Sequence, residues 1–296
     1  MINRPVFNKI EVYITNVCNL TCDQCNRFNN VDFKGWQRWS DHADQYKQWA
    51  KLIDLKAITI MGGEPLLNPT IVEWIHGLND AFGIDVQILT NGTRLNKVPG
   101  LYEAIANATP RNGVRNTIAV SLHNLADLQQ LQADIHDFLD GAVQQIDRRQ
   151  NLWNSDYQYS DRNGVIINVY NQNQFDTSTV QVNQEGRYVL FDNNPAQAHD
   201  ACTFVKFKSY HFIRGRLYKC GPAALLPEFD QQHPFDLSPA DHEILHGYQP
   251  LTVTNFAEYS EEFLANLDNP ISQCKFCPTK KDFRSIFPIR KGTAKL

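Results

Sequence analysis

The sequence predicts an α/β fold: a parallel βα array over the first two-thirds of the chain, then a smaller α+β segment. Two observations predict it. Short runs rich in β-branched residues alternate with helical patterns through residue 191, as parallel strands joined by crossover helices require. From Asp192 the helical runs shorten and Pro and Gly become more frequent. A length of 296 residues suits one such domain with an appendage, or two small domains.

Taken in order, strands are expected at 9–15, 57–61, 85–90, 117–121 and 165–170, with helices at 42–54, 70–82, 101–108 and 124–149. Ile10, Val12 and Ile14 mark the first strand, and Leu128, Leu131, Ile135, Phe138, Leu139 and Val143 form the stripe of the last helix. A sixth strand is expected at 187–191 or 204–207. Asn193-Asn194-Pro195 reads as a linker, 208–219 as a hairpin around Gly215, and 238–246 and 257–267 as helices, the first opened by Ser238-Pro239. The expected domains are therefore 1–191 and 192–296. Residues 279–296 make a basic tail, with Lys280, Lys281, Arg284, Arg290, Lys291 and Lys295 against Asp282.

Composition narrows the class. Hydrophobic residues at 42% and charged residues at 20% are ordinary for a globular enzyme. A net charge of -4 makes no electrostatic case for a nucleic-acid partner, and the basic tail reads as a solvated terminus. No apolar run reaches membrane-spanning length and the start lacks a signal-peptide core, so a cytoplasmic location without a membrane partner is expected. Of the 7 cysteines, five lie in close C-x2-C or C-x3-C groups. A disulfide framework suits short secreted chains, whereas this spacing suits a metal or a cluster.

Cys18, Cys22 and Cys25 form a C-x3-C-x2-C run after the first strand, and after thirty-six intervening residues comes Gly62-Gly63-Glu64-Pro65. Three thiolates can hold three irons of a [4Fe–4S] cube and leave the fourth open. Structural zinc would want a fourth ligand, and no Cys or His follows at short range. The two motifs together resemble the signature of the radical S-adenosylmethionine (SAM) superfamily. That resemblance implies a partial (β/α)5–6 TIM-like barrel with functional groups at the C-terminal ends of its strands. It implies a [4Fe–4S] cluster on Cys18, Cys22 and Cys25, with the amino and carboxylate groups of SAM on the open iron. The backbone of Gly62 and Gly63 would meet the SAM amino group, with Glu64 and Pro65 fixing the turn. Asn91 and Ser121, at the ends of the third and fourth strands, are candidate contacts to the SAM carboxylate and ribose, or ordinary turn residues. Asn168 is a further candidate of the same kind. Gln24 stands where the family commonly has an aromatic residue.

The remaining cysteines follow the pattern C-x12-G-x4-C, from Cys202 through Gly215 to Cys220, and then C-x2-C at Cys274 and Cys277. This resembles the Twitch domain, a short relative of the SPASM domain, and implies a second, auxiliary [4Fe–4S] cluster with four cysteine ligands. A four-cysteine zinc site is the alternative. By the same resemblance, a reduced first cluster passes an electron to SAM, and the 5'-deoxyadenosyl radical so formed abstracts hydrogen from substrate. A fully ligated auxiliary cluster would take the second electron, making the reaction a net two-electron oxidation of a small polar metabolite. Flavodoxin or ferredoxin would be the reductant. His123, Tyr170 and His211 are candidates for the base such an oxidation needs, each with a structural role as its alternative. Maturation of a ribosomally made peptide, presented by a partner protein, is the alternative function. Phe28, Phe33, Trp36 and Trp39 either anchor the long 26–41 loop or wall the site, and anchoring is preferred.

Overall fold

The computed structural model describes residues 4–107, 116–146, 155–280 and 282–291. The chain divides into two compact units, the first built from Met1–Cys18 and Gly35–Asn173, the second from Asn19–Lys34 and Gln174–Lys295.

In the first unit the order is β1 (Lys9–Tyr13), α1 (Trp39–Leu52), β2 (Ile58–Met61), α2 (Ile71–Phe82), β3 (Val86–Thr90), α3 (Leu101–Ala106), β4 (Thr117–Leu122), α4 (Leu128–Phe138), β5 (Gln144–Ile146), β6 (Tyr157–Ser160) and β7 (Ile166–Asn171). Strands β1, β2, β3, β4 and β7 are parallel neighbours in that order. Helices connect successive parallel neighbours, an arrangement consistent with the partial TIM-like barrel expected.

Strand register sorts the side chains of this sheet cleanly. A Cβ on Gly92 would meet both Val120 and Leu131 of α4, so Val120 points to the helices. Following the register from Val120 places Ile10, Val12, Ile58, Ile60, Val86, Ile88, Ile118, Val120, Ile167 and Val169 on that face. All ten are at most 1% exposed. Each buried aliphatic side chain contributes roughly 1.5–3 kcal/mol relative to exposure. The opposite face carries Glu11, Tyr13, Thr59, Gln87, Thr117, Ser121, Asn168 and Tyr170, hydrogen-bonding groups interspersed with Met61, Leu89 and Ala119.

Several expectations are corrected. The helix expected over 124–149 ends at Phe138, where Leu139 turns extended at φ -81 and ψ 140. Gly141 then takes φ +81, and the chain enters β5 instead of continuing the stripe to Val143. Residues Ala108 and 147–149, the ends of two expected helices, lie outside those described. Beyond β7 the sheet continues into β6 and β5, antiparallel to β7 and to each other. Neither 187–191 nor 204–207 supplies one. Tyr188–Val189 pairs with Gln181–Val182, and Thr203–Phe207 is helical.

The second unit runs β8 (Gln174–Asp176), α5 (Pro195–Ala201), α6 (Thr203–Phe207), β9 (Ser209–Ile213), β10 (Arg216–Tyr218), α7 (Gly221–Gln232), α8 (Pro239–His246), α9 (Phe256–Ala265) and β11 (Phe283–Ser285). The expected hairpin is β9–β10, turning through Arg214 and Gly215 at φ 51 and 68. Asn193-Asn194-Pro195 is not a linker. Asn194 caps α5 by accepting from the amides of Ala196 and Gln197, with Pro195 in the first turn. Phe229 is the centre of an aromatic core with Phe28, Phe33, Tyr188 and Phe235 around it.

This unit takes in more than the sequence after Asp192, because β8 pairs with β11 and 181–182 pairs with 188–189. The described part of the basic tail is likewise woven in. Beyond the β8–β11 pairing, Arg290 and Lys291 pair with Thr21 and Leu20, and Ile286 is fully buried. Lys281 and Lys295 fall outside the described residues. No helix among the described residues is long and apolar enough to cross a membrane.

Candidate functional site

In the first unit the loops after β1 and β2 are zipped together. The Gly63 amide donates to Thr15 O at 2.7 Å and the Glu64 amide to Val17 O at 2.8 Å, next to Cys18. A Cβ on Gly62 would sit 2.5 Å from Thr15 O and 2.8 Å from Thr15 Cγ2. Gly62 is thus required by the packing of one loop on the other. With the Gly63 and Glu64 amides spent on the first loop, carbonyl oxygens are what this strip can turn toward an ammonium group.

Glu64 is fully buried. Its Oε1 accepts from the Leu66 amide at 2.9 Å and Thr90 Oγ1 at 2.7 Å, and its Oε2 from the Asn91 amide at 2.8 Å. Burial pushes its pKa up, against the pull of those three donors. Glu64 therefore ties the loop after β2 to the loop after β3, while Pro65 opens a short 3-10 turn, Pro65–Leu67. Asn91 Oδ1 closes a local turn by accepting from the amide and hydroxyl of Thr93 at 3.1 and 2.6 Å.

Ser121, Asn168 and Tyr170 share the polar face of the sheet, Ser121 directly across from Tyr170. Asn168 is fully buried; its Oδ1 accepts from Gln158 Nε2 at 2.5 Å, and its Nδ2 has no hydrogen-bond partner among the described residues. His123 Nδ1 lies 3.0 Å from Gln172 O, which fixes the proton on that nitrogen, and burial lowers the pKa of the ring. Burial raises the Tyr170 pKa.

Of the first cysteine group, Cys18 belongs to the first unit and Cys22 and Cys25 to the second. Burial, and then the neighbouring Cys25, push Cys22 up to about 12. Burial also raises Cys25, opposed by the backbone amides of Asn29, Arg27 and Phe28 and by the Arg27 guanidinium. Burial outweighs these groups for the free thiol, but the amides and the cation would support the charge of a metal-bound thiolate, so the surroundings of Cys25 are compatible with a cluster ligand. Gln24, in place of an aromatic residue, holds the left-handed backbone at φ 58 and accepts from the Ser178 amide at 3.0 Å.

Cys202, Cys220, Cys274 and Cys277 line one cavity of about 70 Å³ within the second unit. Cys220 is the N-cap of α7, and Cys274 lies in the 3-10 turn Ser272–Phe276 that ends at Cys277. Phe204, Tyr210, Pro222 and Ile271 wall the cavity with apolar surface. Burial, then the other thiols, push Cys220 up to about 12 and raise Cys277 well above its ordinary value. Left alone, such thiols keep their protons; a multivalent cation displaces them. The donor set fits a four-sulfur metal centre.

Lys219, 6% exposed, belongs to this cavity and was not singled out in the sequence. Its Nζ donates to Asn266 O at 3.0 Å and to Asn269 O, and lies 3.5 Å from His199 Nε2. Burial lowers its pKa, opposed by Cys274, Cys220 and Cys202. Its only sequence signal was adjacency to Cys220. His211 also belongs to the second unit, where its Nε2 faces Arg27 Nη2 at 3.0 Å and its ring meets Phe204 edge-on. A nitrogen engaged by a guanidinium is poorly placed to take a proton, which favours the structural role. Phe28 and Phe33 are 1% and 3% exposed against Phe229, and Trp39 packs on Trp74, so these aromatics are anchors.

Comparison with known proteins agrees with the motifs. The Radical SAM superfamily model matches residues 12–148. A probable GTP 3',8-cyclase of Pyrococcus horikoshii is 29% identical over 92 residues, 31% of this chain and 29% of that protein. Its counterpart in Methanothermobacter thermautotrophicus is 33% identical over 92 residues, 31% of this chain and 30% of that protein. The chain thus matches under a third of the length of these relatives. Among solved structures, Streptococcus suis SuiB aligns with a TM-score of 0.33 and 20% identity, over 42% of this chain and 26% of that one. BtrN in complex with AdoMet and 2-DOIA aligns with a TM-score of 0.43 and 14% identity, over 92% of this chain and 86% of that one. The family match spans the first strand, the three-cysteine run and the Gly-Gly-Glu-Pro turn, so residues 12–148 carry a radical SAM domain.

Proposed function

We propose that this chain is a radical SAM oxidoreductase that carries out a net two-electron oxidation of a small polar metabolite. The observation that carries this reading is the convergence of Cys202, Cys220, Cys274 and Cys277 on one apolar-walled cavity beside the buried Lys219. Cys18, Cys22 and Cys25 would hold the first [4Fe–4S] cluster, and the other four an auxiliary one. When bound, SAM on the first cluster supplies the hydrogen-abstracting group, and the auxiliary cluster supplies a place for the second electron. Four protein ligands leave that second centre no open position for substrate, which suits electron transfer.

The chain's own side chains support a polar ligand. Ser121, Tyr170 and the Nδ2 group of the buried Asn168 give the face of the sheet opposite the helices hydrogen-bonding groups. His123 is the residue we favour as base. With Nδ1–H directed at Gln172 O, its neutral form keeps the lone pair on Nε2. Its pKa lies below the ordinary 6.5, so the ring is neutral at pH 7 and able to accept a proton. The substrate of the matched cyclases does not carry over, since the match covers under a third of their length.

Anaerobic reconstitution followed by iron and sulfide analysis tests the reading. Two four-iron clusters predict about eight irons per chain, falling to about four in Cys274→Ala/Cys277→Ala. About four irons in both proteins, with zinc lost from the variant, would make the second site structural and remove the case for oxidation.

A further inference from the structure

On the second unit, away from the seven cysteines in sequence, three side chains meet across two helices. Asp230 lies in the last turn of α7, and His242 and His246 lie on α8, four residues apart and therefore on one face. The imidazole rings stack with centroids 6.0 Å apart and planes 8° from parallel. Asp230, 8% exposed, spends Oδ1 on the Phe235 amide at 2.8 Å, which holds the carboxylate in one orientation. Its Oδ2 faces His246 Nε2 at 2.9 Å and His242 Nδ1 at 3.5 Å. All three donor atoms lie within 4.8 Å of one another.

We propose that Asp230, His242 and His246 bind one divalent transition-metal ion, with zinc as the preferred type, and that the ion clasps α7 to α8. Metal–ligand bonds of about 2.0–2.2 Å set neighbouring donors roughly 3–3.5 Å apart, which is the spacing the Asp230 oxygen makes with both rings. Two imidazoles and one carboxylate suit zinc or a similar ion over calcium or magnesium, which prefer all-oxygen shells. Without a cation, two imidazoles compete for a single carboxylate oxygen; with one, all three donors are used. The two rings are 40% and 39% exposed, so water can complete the shell on the open side.

The position gives the ion a task. Helix α7 starts at Cys220. Helix α8 is fastened to the turn bearing Cys274, by Gln273 Nε2 donating to Ile244 O at 2.7 Å and by Lys275 Nζ on Asp241 Oδ1 at 2.6 Å. An ion joining α7 to α8 therefore braces the frame that presents Cys220, Cys274 and Cys277. The ligands are not cluster residues, so the site stands whichever metal those cysteines take.

The test is equilibrium dialysis of the reconstituted protein against micromolar zinc chloride, with zinc and iron measured together. Wild type should hold one zinc more per chain than Asp230→Asn or His242→Ala/His246→Ala, with iron unchanged. Each variant should bind that zinc at least about tenfold more weakly. Zinc should also raise the melting temperature of wild type and not of the variants. Asp230→Asn keeps an oxygen for the Phe235 amide and so guards against a folding artefact. Equal zinc in all three proteins, or zinc that follows only the cysteines, would overturn the proposal.

Discussion

At the scale of single residues, the protein takes two charged groups out of water and treats them differently. Glu64 is surrounded by three donors, one from the loop after β2 and two from the end of β3, so its carboxylate acts as a knot. Lys219 is held by carbonyl oxygens beside Cys202, Cys220 and Cys274, where its positive charge would offset that of ligating thiolates. Replacing Glu64 by Gln puts an NH2 group where only acceptors fit, leaving at least one buried donor without a partner. Glu64→Gln should destabilise the fold by about 1–3 kcal/mol, measured by chemical denaturation. Both cysteine groups and the glycine turn stand out in the sequence because they are defined by spacing along the chain. The role of Glu64 on Thr90 and Asn91 was not, since those donors arrive only when β3 lies beside β2. Asp230 was hidden for the same reason: the i,i+4 histidines can be read from sequence, but their carboxylate comes from another helix.

At the scale of elements, five parallel strands were readable because each is a β-branched run between turn signals. The end of α4 was not, because Leu139 continues the apolar stripe while its backbone has already left the helix. Leu139 is buried all the same, so hydrophobicity alone could not separate a helical position from an extended one. The antiparallel strands β5 and β6 escaped because they extend an edge that the βα rhythm does not announce. The turn after β2 offers a sharper test. In Gly62→Ala the new methyl meets backbone, Thr15 O at 2.5 Å, which cannot rotate away. The loops must part, at a cost of about 1–3 kcal/mol. Differential scanning calorimetry should show a lower melting temperature, together with weaker SAM binding.

At the scale of the whole molecule, the chain has two cores of different kinds. One is the aliphatic layer beneath the sheet, and the other is the aromatic group around Phe229 with the four-cysteine cavity. All 5 tryptophans fall within the sequence range of the first unit. Tryptophan fluorescence therefore follows that unit, whereas far-UV circular dichroism follows both. In Cys274→Ala/Cys277→Ala, the fluorescence transition should stay where it is in the wild type, and the dichroism curve should gain an earlier step. Coincident shifts of both signals would mean that the two cores melt as one. The expected boundary after residue 191 missed this organisation, because the 19–34 segment and 174–191 join the second core through pairings with residues far along the chain.

The alternation of the parallel strands has an evolutionary side. Ile88, Val120 and Val169 hold the helices, while Gln87, Ser121 and Tyr170, each a single residue away, look in the opposite direction. Mutational drift can therefore proceed at two speeds within one strand, conservative at every second position and permissive at the others. A lineage descended from this chain could exchange one ligand for another by altering the permissive positions, and its scaffold would barely register the change.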